Sequence, residues 1–156
     1  MKKRYYGLIL LVILVDQVVK ALIRGAMDPY ESVDVIGSIL SFTYVQNTGA
    51  AFSMFKGMKG ILMILPLICC IIGLIYMNRN TREHWTMYLA LSMIIGGGIS
   101  NLIDRFIFGF VTDMFDVHFW PVFNVADIAI CVGCGILVIY ILFFTAKGSK
   151  EQDNNG

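Results

Sequence analysis

The chain alternates between long apolar runs and shorter polar connections. Four runs come close to the roughly 20 residues that a helix needs to cross a hydrocarbon core about 30 Å thick. They predict spanning helices over about residues 5–23, 60–77, 85–103 and 123–144. The connection over about residues 24–59 is long for a link between neighbouring helices. Within it, Leu40-Ser41-Phe42-Thr43-Tyr44-Val45 alternates apolar and polar positions as a half-buried strand does. A small folded, β-rich piece is therefore expected over about residues 30–56, lying on the membrane surface and helping to hold a substrate. Residues 1–146 are expected to form a single domain, followed by a polar, Asn-rich and disordered tail over 147–156.

Composition agrees with a bilayer. The 156 residues are 58% hydrophobic and 15% charged, with a mean hydropathy of +0.75, too apolar for an ordinary soluble domain of this size. A net charge of +1 without a basic stripe excludes nucleic acid as a partner. The first apolar run follows Met1-Lys2-Lys3-Arg4, as a secretory signal would, but Asp16 and Lys20 interrupt it and no small-residue cleavage site follows, so it is expected to be a retained span. Lys2, Lys3 and Arg4, then Arg79 and Arg82, then Lys147 and Lys150 put both termini on the cytoplasmic side and the connections 24–59 and 104–122 outside. The fold class is thus all-α integral membrane, four transmembrane helices with a small extracytoplasmic β-rich element. Cys69, Cys70, Cys131 and Cys134 all fall inside the predicted spans, so Cys131-x-x-Cys134 is read as helix packing rather than redox chemistry. No internal repeat with matched broken helices points to a transporter. Four spans with inward charges can complete a bundle, so a monomer is expected.

A charge at mid-bilayer costs roughly 2.5 to 3.5 kcal/mol on insertion scales, so each ionisable residue in a span needs an explanation. Asp16, Lys20, Asp104, Arg105 and Asp127 need one, and the orientation gathers all five toward the outer face. Asp16 and Lys20 lie one helical turn apart and can pair. Asn101, Asp104 and Arg105 form a polar cluster suited to bracing helices, and Gly96-Gly97-Gly98 just before it permits close helix approach. Asn124 is placed as an N-cap, with Asp127 three residues on. Capping explains Asp127 but not a second carboxylate, Asp113, in the same short connection.

Two carboxylates close together in a low dielectric share one proton and can act as base and acid together, the chemistry of aspartic peptidases. No cofactor is expected. His84 lies on the predicted cytoplasmic side and His118 stands alone outside, so no zinc-ligand set forms. Ser32, Ser38, Ser41, Ser53 and Ser100 lack a nucleophile-elbow context or an obvious base. On these grounds a non-enzymatic membrane protein, a proton-coupled carrier or an assembly factor, stays open beside the peptidase.

Five blocks, in order, resemble the lipoprotein signal peptidases, or signal peptidase II: Asp16-Gln17-Val18-Val19-Lys20, Asn47-Thr48-Gly49-Ala50-Ala51-Phe52, Asn101-Leu102-Ile103-Asp104-Arg105, Gly109-Phe110-Val111-Thr112-Asp113 and Phe123-Asn124-Val125-Ala126-Asp127. The resemblance implies an aspartic endopeptidase of the bacterial cytoplasmic membrane. Such an enzyme cuts signal peptides from prolipoproteins just before the diacylglyceryl-modified cysteine and is blocked by the cyclic peptide globomycin. It implies Asp113 and Asp127 as the catalytic pair, with Asn47, Asn101, Arg105 and Asn124 positioning dyad and substrate. Asp16, Lys20 and Asp104 match supporting positions, and the long outer connection resembles the family's β-cradle. Its partners are lipid-modified substrates and membrane lipid. Ser100 departs from the family's usual glycine and Met114 from its usual phenylalanine, while Asp116 is a nearby alternative that the motif match disfavours. Asp127 sits near a helix start, so the shared proton is expected on Asp113.

Overall fold

The computed structural model describes residues 3–37, 39–49, 59–80 and 84–145. Lys2, Ser38, Ala50, Ala51, Phe52, Ser53, the rest of the first connection through residue 58, Arg82 and the tail expected over 147–156 lie outside the described residues.

The chain runs α1 (Lys3–Ala26), β1 (Ser32–Ile36), β2 (Leu40–Asn47), α2 (Lys59–Arg79), α3 (Trp85–Phe108), β3 (Val111–Asp116) and α4 (Val125–Tyr140), which continues into a π-helical turn over Ile141–Thr145. Four segments, Lys3–Ala26, Gly60–Arg79, Trp85–Phe108 and Val125–Phe143, are long and apolar enough to cross a membrane. Their outward residues suit lipid: Leu10, Leu11, Leu14, Val15, Val18 and Leu22 form an exposed apolar run along α1 that water would not tolerate. The first three spans outrun the expected boundaries, while the fourth, Val125–Phe143, falls just inside its own. In particular, α3 continues past Asp104 and Arg105 to Phe108, because Asp104 is fully buried and needs no aqueous helix end.

α3 is the axle of the bundle, packing against α1, α2 and α4. Successive residues of a helix point about 100° apart, so three consecutive glycines open three faces at one level. A Cβ on Gly96 would meet Val12 Cβ of α1 at 2.9 Å, and one on Gly98 would meet Cys70 Sγ of α2 at 2.8 Å. On Gly97 it would collide with the Ala126 carbonyl oxygen of α4. Gly133 returns the approach from α4, where a Cβ would lie 2.8 Å from the Ala90 carbonyl oxygen. At one end of the bundle, Tyr5 of α1 stacks on Tyr88 of α3 with ring centroids 5.1 Å apart.

The expected β-rich piece is present, with one correction. Its sheet is three-stranded and antiparallel in the order β1-β2-β3, and the third strand comes from the connection between α3 and α4, outside the expected 30–56. Gly109, with φ +79°, ends α3 in the left-handed conformation that glycine adopts without a Cβ penalty, and its N–H donates to the Arg105 carbonyl. The chain thereby reverses into β3. Phe42 pairs with Phe115 and Val45 with Asp113, so a bulge in β2 lies between these pairs. A one-residue slip exchanges the faces of a strand. Within the bulge, Thr43 donates to Asp116 at 3.0 Å; beyond it, Asn47 donates to Asp113 at 2.8 Å. Two odd-numbered residues of β2 thus serve opposite faces of β3. Ile23 of α1, Tyr44 and Met114 form a buried apolar seat that docks the sheet on the bundle.

Gly97→Ala is expected to destabilise the protein by about 1–3 kcal/mol through overpacking against the α4 backbone. Gly135→Ala, where a Cβ meets nothing within 4 Å, is expected to leave the unfolding temperature in detergent unchanged or raised.

Candidate active site

All nine residues expected at the site converge. Asp16 and Lys20 come from α1, Asn47 from β2, Asn101, Asp104 and Arg105 from α3, Asp113 from β3, Asn124 from the N-cap of α4, and Asp127 from its first turn.

The deepest layer is ionic. Lys20 Nζ lies 2.7 Å from Asp16 Oδ2 and 3.3 Å from Asp104 Oδ2, with all three side chains fully buried. It also donates to Asn101 Oδ1 at 2.8 Å. Each carboxylate also holds a further element in place. Asp16 Oδ1 accepts the Ala126 N–H at 2.8 Å, one of the N-terminal donors of α4 that no helical carbonyl can satisfy. Asp104 Oδ2 accepts the Thr112 N–H of β3 at 2.9 Å, and its Oδ1 accepts from Gln17 at 3.1 Å.

Above this layer three amides orient two carboxylates. Asn124 Nδ2 donates to Asp113 Oδ1 at 2.6 Å and to Asn101 Oδ1 at 3.2 Å, while its Oδ1 accepts the Asp127 N–H at 2.9 Å. Asp127 Oδ2 accepts the Asn124 N–H at 3.3 Å, completing a reciprocal capping box, and its Oδ1 accepts from Asn101 at 2.9 Å. Capping and a place in the carboxylate pair are therefore two uses of one residue. Asn47 Nδ2 donates to Asp113 Oδ2, and Asn47 Oδ1 accepts the Gly49 N–H at 2.9 Å. Arg105 Nη2 in turn donates to the Gly49 carbonyl at 3.0 Å, tying the end of β2 to α3.

Asp113 and Asp127 open with Asn47, Asn101 and Arg105 onto one cavity of about 570 Å³. Its other wall is apolar, with Val45, Val111, Pro121, Phe123 and Ile130. Burial first, and then the neighbouring Asp127 carboxylate, push the Asp113 carboxyl up to about 7, against the Asn47 and Asn124 amides and the Lys20 cation, which act to lower it. Four carboxylates, Asp16, Asp104, Asp113 and Asp127, meet three cations, Lys20, Arg24 and Arg105. One proton on the pair balances the cluster.

Four contributors were not expected. Ser100, noted only as a departure from a glycine, donates to Asp16 Oδ2 at 2.7 Å and lies 3.0 Å from Gln17 Nε2. Gln17, Thr112 and Arg24 also join the network. The spacing held one signal: Asp16, Lys20 and Arg24 fall at successive turns on one face of α1.

His118 does not stand alone. Its Nε2 lies 3.2 Å from Ser41 Oγ and its Nδ1 lies 3.6 Å from Asp116 Oδ1, because the sheet brings β2 beside the end of β3. Ser41 has no accessible surface and donates to Asp34 at 2.7 Å, so this serine–histidine–aspartate contact offers no nucleophile to a substrate. Asp116 is occupied there by Thr43 and His118.

Residues 8–143 match the family model described as signal peptidase II. The lipoprotein signal peptidase of Halothermothrix orenii is 40% identical over 136 residues, covering 87% of this chain and 93% of the relative. That of Syntrophomonas wolfei is 38% identical over 151 residues, covering 97% and 99%. A bacterial membrane enzyme solved in meso at 2.3 Å resolution superposes with a TM-score of 0.87 at 28% identity, covering 93% of this chain and 91% of that one.

The raised Asp113 carboxyl sets a sign. Between about 4, where an unfolded aspartate ionises, and about 7, the folded protein holds a proton that the unfolded chain has lost, so this group's contribution to stability is full at low pH and lost as pH rises through 7. Asp113→Asn removes that loss. The unfolding temperature of the variant minus that of the unsubstituted protein is expected to be larger at pH 8 than at pH 5, and an equal difference would contradict the raised value.

Proposed function

The chain belongs to the signal peptidase II family, and from that membership we propose that Asp113 and Asp127 are its catalytic pair, cutting prolipoproteins just before a diacylglyceryl-modified cysteine. It is a multi-pass bacterial membrane protein and an aspartic peptidase that removes signal peptides from prolipoproteins. The observation that carries the assignment is the Asn124 side chain. It holds Asp113 with its amide nitrogen and the backbone of Asp127 with its oxygen, at the floor of the one cavity that both carboxylates line.

Asp113 begins the cycle protonated and Asp127 charged. Asp127 takes a proton from a water whose oxygen attacks the scissile carbonyl carbon, while Asp113 gives its proton to the carbonyl oxygen, leaving a neutral geminal diol. Asp127 then passes its proton to the departing amine, Asp113 recovers one from a diol hydroxyl, and the C–N bond breaks. The pair returns to its starting state without a covalent intermediate. Asn101 holds Asp127 Oδ1 and is itself held by the Asn124 amide that also binds Asp113. Arg105 and Asn47 hold the Gly49 backbone at the rim, where an extended substrate can be met by main-chain and guanidinium donors. The apolar wall receives the signal-peptide side chains. Basic residues at Lys3, Arg4 and Arg79 support an orientation with both termini cytoplasmic and the dyad near the outer face, where translocated prolipoproteins present their cleavage site. The protein is read as acting as a monomer.

The test is cleavage of a lipidated prolipoprotein peptide by purified protein in detergent. Asp113→Asn and Asp127→Asn are each expected to lower kcat on the order of 10³-fold. The rate of the unsubstituted enzyme should fall as pH rises through about 7, where Asp113 loses its proton, and a chelator should leave the rate unchanged. Full activity in either Asn variant removes that residue from the dyad.

A further inference from the structure

We propose that Arg24 is a positioning residue for Asp113, acting through the side chain of Thr112; this rests on the reading of Asp113 as catalytic. Arg24 occupies the last turn of α1, two turns beyond Asp16 on the same face. Its Nη1 donates to Thr112 Oγ1 at 3.0 Å and lies 3.4 Å from Asp104 Oδ1. The guanidinium carbon stands 4.4 Å from the centroid of the Phe108 ring.

These three contacts bracket the reversal at Gly109. Asp104 and Phe108 belong to the last turns of α3, and Thr112 to the start of β3. One planar cation thus staples both sides of the turn that delivers Asp113. A single ammonium cannot stack on a ring and serve two separated acceptors in the same way.

The leverage comes from strand geometry. Adjacent residues of a strand point to opposite faces, so fixing the side chain of Thr112 toward α1 aims that of Asp113 away from α1 and into the cavity. Thr112 is fully buried and held twice, by its N–H on Asp104 Oδ2 at 2.9 Å and by its hydroxyl on Arg24. The first bond fixes the height of β3 against α3. The second adds a side-chain restraint on its rotation, beside the ladder that pairs Thr112 with Gln46 of β2. Asn47 and Asn124 can hold both oxygens of Asp113 only while that rotation is maintained. Arg24 touches neither the cavity nor either catalytic carboxylate, so its effect on the reaction passes through Thr112.

The experiment is steady-state cleavage of the lipidated prolipoprotein peptide by the full chain in detergent. Arg24→Met is expected to lower kcat on the order of tenfold while KM changes by less than about twofold, the split produced by misplacing a catalytic group rather than a binding surface. Thr112→Val, which removes the hydroxyl and keeps the shape, should reproduce the loss, and Thr112→Ser, which keeps the hydroxyl, should recover most of the rate. The double variant Arg24→Met/Thr112→Val should be no slower than the slower single variant, because both break one bond. The proposal is overturned if Arg24→Met keeps kcat within about twofold of the unsubstituted enzyme, or if the two single losses multiply. Should Arg24→Met fail to fold, the Thr112→Val and Thr112→Ser pair decides alone, equal rates overturning the proposal. Asp113→Asn, assayed alongside, separates the two readings. An active Asp113→Asn sinks the dyad, whereas an inactive one beside a full-rate Arg24→Met sinks only the role of Arg24.

Discussion

An ammonium group without any accessible surface can persist only where its charge is met from several sides, and Lys20 is such a group. Asp16, Asp104 and Asn101 surround it, and each has a further obligation. Asp16 holds the start of α4, Asp104 holds the start of β3, and Asn101 holds the Asp127 carboxylate. Taking one partner from a buried ion cluster generally costs roughly 3–5 kcal/mol, since the remaining charge is stranded. Here the stranded charge would also release a strand or a helix that carries one of the two aspartates. The cluster is less a source of net stability than a registration device, because it is satisfied only when α1, α3, α4 and β3 are all in place.

The apolar packing cooperates with that registration. Three glycines at consecutive positions let α1, α4 and α2 approach α3 at one level, just beneath the polar layer. Without those approaches Lys20 could not reach Asn101, nor Asp16 the Ala126 amide. Between helices in lipid, close packing of small residues and buried hydrogen bonds are the available attractive terms, and both are concentrated here within a few residues of α3.

Much of this was legible in the chain. The spans announced themselves as apolar runs, and the intramembrane charges marked the site because a bilayer makes each of them expensive. What escaped had local causes. Val111–Asp116 did not declare itself as a strand, since Val111, Thr112, Asp113 and Met114 are all buried and the two-residue alternation is missing. The bulge in β2 hid which of its residues share a face, a register that alternation alone does not give. Arg24 drew no expectation, although its turn-by-turn alignment with Asp16 and Lys20 was on view. His118 gained its partners only from the pairing of β2 with β3, which no single segment contains. For Asp113 and Asp127, spacing and chemistry left alternatives open, and the ordered motif blocks separated them.

The capping box at the start of α4 has one more implication. The same carboxylate that closes the helix end is the one assigned to activate water, so folding and chemistry place two demands on the same three atoms. A descendant that abandoned proteolysis would still be pressed to keep a small acceptor at this position, and would look from its helix start as though nothing had been lost. Silence in such a lineage would first show at Asp113, which closes no helix end and answers only to the Asn47 and Asn124 amides.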